Sequence, residues 1–464
     1  MARARRRRRP SASRPPVNRP PASRQPAAGF DASLLPLWLL VLLMPLVFAP
    51  AMQNNFRVPK LLASEVLAAF SLVTLAWRLR TRGAVDLGVL WRRPVVGACA
   101  LLLAAASLGL ITSAHTVFVR PAVASLALAL VATVVWEAAL DRAEARRLII
   151  ALVVPGGMLA LVAVLQNHGL YQPFPLETAS ASRLSLTSLA GSPFDLATFL
   201  VFPILIAQGA LARADLGRRR WAWAALLALC LYAVALTQTL SAVLAIGLGS
   251  VCLWLQVAAR RRLLALAAAA AVSAAALLAV ARPLRLRVEQ KLEQVRGGDL
   301  NDALTGRLDG WRTAWWMFER RPITGVGQGA FRAEFAAARL ALVERGVRFY
   351  RSQQQPFFEN PHSDLLAVAA GWGLIGVLAL LGALALFARA GICAWRALRA
   401  GDRSQRVDAA VASAIVVATA LETTATFPLH LALIAYPFLL LVAAVFRAGR
   451  ALAPVAAAEV SEAV

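Results

Sequence analysis

The chain has 464 residues, 59% of them hydrophobic and 16% charged, with a formal net charge of +25. A composition this apolar excludes a soluble globular enzyme and a disordered scaffold, and it fits a polytopic membrane protein. The four cysteines (Cys99, Cys230, Cys252 and Cys393) fall in apolar or arginine-flanked segments without metal spacing, which argues against a disulfide framework and a zinc site.

Nine arginines and six prolines crowd the first 28 residues, and no acidic residue precedes Asp31. Residues 1–30 therefore read as a disordered cytoplasmic tail, which sets orientation and touches anionic lipid rather than nucleic acid. Twelve apolar runs follow, near 34–52, 60–79, 94–113, 118–138, 148–166, 194–212, 221–238, 240–257, 263–281, 364–388, 408–427 and 429–446. Each is about the 20 residues that a helix needs to cross a bilayer. Ala49-Pro50-Ala51 loosely resembles a signal cleavage site, but the run is long and eleven more follow, so a retained anchor is expected. The fold class is all-α: spans 1–9 within 31–281, a large extracytoplasmic loop over 282–361 between helices 9 and 10, spans 10–12 within 362–448, and a cytoplasmic tail over 449–464.

Arginines sort the gaps by side. Arg78 to Arg82 with Arg92 and Arg93, then Arg142 with Arg146 and Arg147, Arg213 with Arg218 to Arg220, Arg260 to Arg262, and Arg389 to Arg406 all fall in alternate gaps. Positive residues stay cytoplasmic, so both termini face the cytoplasm; the long loop escapes the rule and faces outward despite its arginines. Residue 330 is then outside, and residues 85, 215 and 400 are inside.

The informative stretch runs from Thr305 to Gly376. It reads TGRLDGWRTAWWMFERRPITGVGQGAF and then, after a polar interval, FENPHSDLLAVAAGWGLIG. Trp311, Trp315 and Trp316 fall at helical spacing, which suits either an amphipathic helix on the bilayer surface or a platform for sugar stacking. Gly325-Val326-Gly327-Gln328-Gly329 lacks the six-residue nucleotide fingerprint and reads as a turn that lets the backbone fold closely over itself. Asn360 is expected to cap a helix opened by Pro361, with His362 in its first turn. A lone interfacial histidine can be a hydrogen-bonded boundary residue. Beside an arginine-rich loop it can also be a base.

That region resembles the O-antigen ligase and polymerase superfamily, which includes bacterial protein O-oligosaccharyltransferases. The resemblance rests on Arg307 with Trp311, on Pro322, Gly325, Gly327, Gly329 and Phe331, and on His362, Leu366, Gly373 and Gly376. Weaker echoes are Arg183 followed by Gly191-Ser192-Pro193-Phe194-Asp195, and Phe427-Pro428-Leu429. Two departures stand out. The family's usual Thr-x-Ser-Arg-Gly-Ala is Thr237-Gln238-Thr239-Leu240-Ser241-Ala242 here, without its arginine, and a usual glutamate is Gly371.

The resemblance implies transfer of a glycan from undecaprenyl diphosphate, with the lipid A core as acceptor; a growing polysaccharide or a protein is the alternative acceptor. Such a donor already has a good leaving group. The site must supply a base for the acceptor hydroxyl and cations for the departing diphosphate. His362 suits the first role. Arg307, Arg312 and Arg183 suit the second, since the guanidinium fork matches phosphate oxygens. No Asp-x-Asp pair occurs in the outer loop, so neither a metal nor a cofactor is expected. The expected setting is the bacterial inner membrane with a periplasmic active site. A transporter or flippase would need charges in mid-span and inverted repeats, and the charges here lie mostly at span ends.

Overall fold

The structure is a computed structural model and describes residues 31–52, 54–81, 90–172, 186–213, 217–258, 282–350 and 358–450. All regular structure in these residues is helical. The first apolar run forms only a short helix, α1 (Leu35–Leu42), continued by 3-10 turns within Ala32–Leu46. Pro45 and the turn around Pro50 end it early, so this run is shorter than the expected 34–52.

Seven spanning helices follow: α2 (Arg57–Thr81), α3 (Pro94–Thr112), α4 (Thr116–Ala139), α5 (Arg142–Asn167), α6 (Pro193–Leu211), α7 (Arg219–Thr237) and α8 (Leu240–Val257). The expected ninth run, 263–281, lies outside the described residues. The segment expected between spans nine and ten is itself helical, with α9 (Arg282–Arg296), α10 (Arg307–Arg320) and α11 (Phe331–Glu344). Three more spans close the chain: α12 (Asp364–Ala400), α13 (Arg403–Ala425) and α14 (Ala432–Arg450). Ten of the expected twelve spans are therefore present among the described residues as helices long and apolar enough to cross a membrane.

Helix α6 is apolar on every side, and 89% of its most apolar stretch is buried, which places it at the centre of the bundle. Helices α7, α8 and α13 pack around it. The arginine-rich ends of the helices gather at one end of the bundle. There Arg78 at the end of α2 pairs with Glu144 of α5 at 2.6 Å, and Arg93 ahead of α3 pairs with Glu137 of α4 at 2.8 Å. Such pairs neutralise charges that would otherwise be buried alone.

The glycine-rich turn has a definite mechanical role. Helix α12 breaks at Gly373 (φ 63°, ψ −156°), which strips hydrogen bonds from the backbone on both sides. The segment from Pro322 to Gly327 fills the break. Val326 N donates to Ala370 O (2.9 Å) and Gly327 N to Gly371 O (2.8 Å), while Leu374 N donates to Pro322 O (2.7 Å) and Ile375 N to Ile323 O (3.2 Å). An unmet backbone group in hydrocarbon costs several kcal/mol, so a broken spanning helix needs such a splint.

A Cβ on Gly325 would lie 2.4 Å from the Gly371 carbonyl carbon, and one on Gly373 would lie 2.4 Å from Ile323 O. Both glycines also hold positive φ. Gly325→Ala or Gly373→Ala should therefore lower the thermal midpoint of the detergent-purified protein sharply. The conformational strain alone is about 1–3 kcal/mol, and the clash adds to it. A midpoint unchanged within error would show that the strap and the break are not held together.

Candidate active site

Helix α10 brings the two halves of the 305–376 motif together. Its buried face (Asp309, Gly310, Thr313, Ala314, Trp316 and Met317) follows the 3.6-residue period and packs against α12. Gly310 is the closest approach, since a Cβ there would lie 2.7 Å from Pro361 O. Trp311, one residue further, donates its indole N–H to His362 O at 3.4 Å. Asp309 is buried and accepts from Asn301 Nδ2 (2.7 Å) and Tyr350 N (2.8 Å), pinning the loop to the helix start. Burial pushes its carboxyl upward, against these hydrogen bonds.

His362 does not sit in the first turn of the helix. The α-helix starts at Asp364, and Ser363 caps it by accepting from Leu366 N at 3.3 Å. His362 lies just ahead, at φ 55°, a left-handed conformation that strains a non-glycine residue. Asn360 Oδ1 accepts from His362 N at 3.1 Å, so the asparagine braces this turn instead of capping the helix. The imidazole is wedged between two aromatic edges, 5.0 Å from the Phe358 ring and 5.1 Å from the Phe427 ring. Burial, and after it the charges of Arg307 and Arg57, push His362 down to about 4. The ring is neutral at ordinary pH, as a base must be.

Arg307 opens α10 on the same face as Trp311, four residues on, and its charge acts on His362. Its Nη1 donates to Leu304 O at 3.2 Å, and its buried Nε has no hydrogen-bond partner among the described residues. Burial, and then the charge of Arg287 from α9, lower it from the usual guanidinium value. Arg287 Nε is likewise buried without a hydrogen-bond partner. Arg307, whose charge reaches His362, and Arg287, whose charge reaches Arg307, each keep an unmet donor among the described residues and make a place for anionic oxygens.

Arg312 is not part of that place. It is exposed, on another face of α10, with Nη1 directed to Arg348 O at 3.4 Å. Arg183 lies outside the described residues. The three tryptophans also diverge: Trp311 touches the His362 backbone, Trp315 is exposed, and Trp316 is buried under the Arg320 guanidinium, 4.9 Å away. They form neither one stacking platform nor one surface belt.

The sequence reading missed Arg57, at the start of α2. Asp195 of α6 grips it in two-pronged fashion, with Nε to Oδ2 at 2.9 Å and Nη2 to Oδ1 at 2.8 Å, and its guanidinium lies 5.5 Å from the Phe427 ring. The two weak sequence echoes thus have structural meaning. Ser192 caps α6 and presents Asp195, and Phe427 touches both Arg57 and His362.

A cavity of about 1170 Å³ adjoins these groups, lined by Arg57, Asp195, Glu359, Asn360, Phe427 and His430 among others. His430 Nδ1 contacts Asp364 Oδ1 at 2.5 Å. Burial works against its charge, but the Asp364 hydrogen bond and charge prevail and raise it. The lining also includes exposed Val58, Leu61 and Val117 on the outer faces of α2 and α4, so apolar surface borders the polar wall.

The family model described as O-antigen ligase matches residues 225–381, a span that contains Arg307, Arg312, the glycine-rich strap and His362 but not Arg57, Asp195 or Phe427. No curated protein matches the chain.

Proposed function

We propose that this membrane protein, whose residues 225–381 match the family model described as O-antigen ligase, is a glycosyltransferase that moves a glycan from undecaprenyl diphosphate to the lipid A core on the periplasmic face of the bacterial inner membrane, without a metal. The observation that carries the reading is the docking of α10 on the Asn-Pro-His turn, which sets the Arg307 charge against a neutral, half-buried His362. In this reaction the acceptor hydroxyl gives its proton to the His362 imidazole as its oxygen attacks the anomeric carbon. The bond from that carbon to the diphosphate oxygen breaks. The negative charge gathering on the diphosphate is met by Arg307 and Arg287, with Arg57, whose charge also reaches His362, adding positive potential. Arg57 also supports the reading where the family's usual arginine is replaced by Leu240. Arg183 is proposed as a further donor contact, and the exposed position of Arg312 demotes it to the rim.

The test is the full-length protein reconstituted with a defined polyprenyl-diphosphate glycan and lipid A core. Glycosylated core is the expected product. Lengthened donor glycan in place of core would assign the chain to polymerisation, and no turnover of any lipid-linked donor would refute the reading.

The orientation is tested separately by cysteine labelling in whole cells. Ala330 is buried, so the exposed Arg345 is the better outer probe, with Ala400 as the inner one, in a background lacking the four native cysteines. An impermeant reagent is expected to label position 345 and spare position 400. The reverse pattern would place His362 in the cytoplasm and sink the assignment.

A further inference from the structure

A second cavity, of about 780 Å³, lies at the end of the bundle away from His362, between α5, α6, α12, α13 and α14. Arg396 stands 34 residues along the chain from His362, roughly 50 Å at the rise of an α-helix. The volume is within the roughly 300–1,000 Å³ range of ligand sites. Its walls are apolar, with Ile149, Ile206, Phe387, Val416 and Leu441 facing it and Gly209 and Gly391 leaving room.

Its rim is unlike its walls. Arg142, Arg146, Arg213, Arg396 and Arg447 border the cavity, and Asp408 is the one carboxylate among its lining residues. Asp408 is already shared, with Arg146 Nε at 2.9 Å from Oδ2 and Arg213 Nη2 at 2.5 Å from Oδ1. With Arg146 and Arg213 engaged by Asp408, Arg142, Arg396 and Arg447 add positive charge to the rim of an apolar hollow. Such positive charge between spanning helices is the footprint that acidic lipid headgroups recognise. We propose that this cavity binds an anionic phospholipid, its phosphate held by Arg142, Arg396 and Arg447 and its acyl chains filling the hollow.

This assignment is independent of the glycan chemistry, because no residue of it belongs to the site around His362. A bound lipid would tie five helices together at the end where α12 and α13 are joined by only Gly401 and Asp402. Positive residues near a membrane orient a chain whether or not they bind anything. What separates a site from that background is the combination of several guanidiniums with a half-open apolar hollow that they border, and the experiment tests both parts.

Full-length protein is purified in a neutral detergent, stripped of lipid, and titrated with phosphatidylglycerol, phosphatidylcholine or glycerol phosphate, with binding read by native mass spectrometry and Tm by thermal unfolding. Phosphatidylglycerol should bind and raise Tm, whereas the other two should do neither. The exposed pair Arg142→Gln/Arg396→Gln should weaken phosphatidylglycerol binding about thirtyfold, from roughly one kcal/mol per arginine at a membrane surface. Gly391→Leu tests the hollow itself. A Cβ at this position meets only Val445, at 3.8 Å, so the backbone tolerates the change while the added bulk takes up space. It should reduce lipid binding with all five arginines intact. Equal binding of phosphatidylcholine, an equal Tm rise from glycerol phosphate, or undiminished binding by both variants would overturn the proposal.

Discussion

Purified His362→Ala protein should transfer no detectable glycan while still reaching the membrane in wild-type amounts. The side chain is held between Phe358 and Phe427 at a strained backbone position, and none of the ion pairs among the described residues passes through it. His362→Gln should not rescue activity, since an amide hydrogen-bonds but does not take the proton. The pH profile makes the claim sharper. The working form is the neutral ring, and burial with two nearby arginines holds its titration down to about 4. Wild-type kcat/KM should therefore stay level on acidification to about pH 5 and fall only near 4. A histidine at its ordinary value of about 6.5 would lose activity about two and a half pH units earlier. Transfer by the alanine variant at near wild-type rate would leave His362 a boundary residue only.

Arg307→Ala should lower kcat/KM on the order of 100-fold or more, the usual effect of removing a preorganised group that meets developing charge. Arg307→Lys should recover only part of this, because an ammonium restores charge without the fork. A second consequence distinguishes a role at the site from a general loss of fold. Without the Arg307 charge, the acid limb set by His362 should move upward, though not fully to 6.5, because burial is the larger cause of the depression. Wild-type turnover should persist in EDTA. Loss on chelation, restored by magnesium or manganese, would refute the metal-free mechanism and send the search to carboxylates.

What could be read from the chain depended on the distance over which the physics acts. Spanning helices announce themselves through unbroken apolar runs, and ten of them are present as read. The pairing of Arg307 with His362 was legible as a motif. Arg57 was not, because an arginine at the mouth of a membrane helix looks like any orientation charge. Its meaning comes from Asp195, 138 residues away. The position of His362 was misread for a local reason. Asn360 and Pro361 form a good cap-and-first-residue pair, but Ser363 followed by Asp364 is also a good start, and it wins because Asp364 secures itself to Leu429 N and His430. The divergence of Trp311, Trp315 and Trp316 was implicit in their spacing, since a helix turns adjacent positions by about 100°.

The strap in the broken helix has a consequence for how this protein tolerates change. Its four cross-links run from main chain to main chain, so they are blind to most side-chain substitution and sensitive to the number of residues between them. Inserting a single residue between Ile323 and Val326 would throw two donors out of step with Ala370 and Gly371. The same insertion in the exposed turn around Arg345 and Gly346 would break none of these four cross-links. A change of length beyond α11 should therefore disturb the broken helix less than one between Pro322 and Gly327. Length polymorphism, more than composition, marks where this scaffold can be rebuilt.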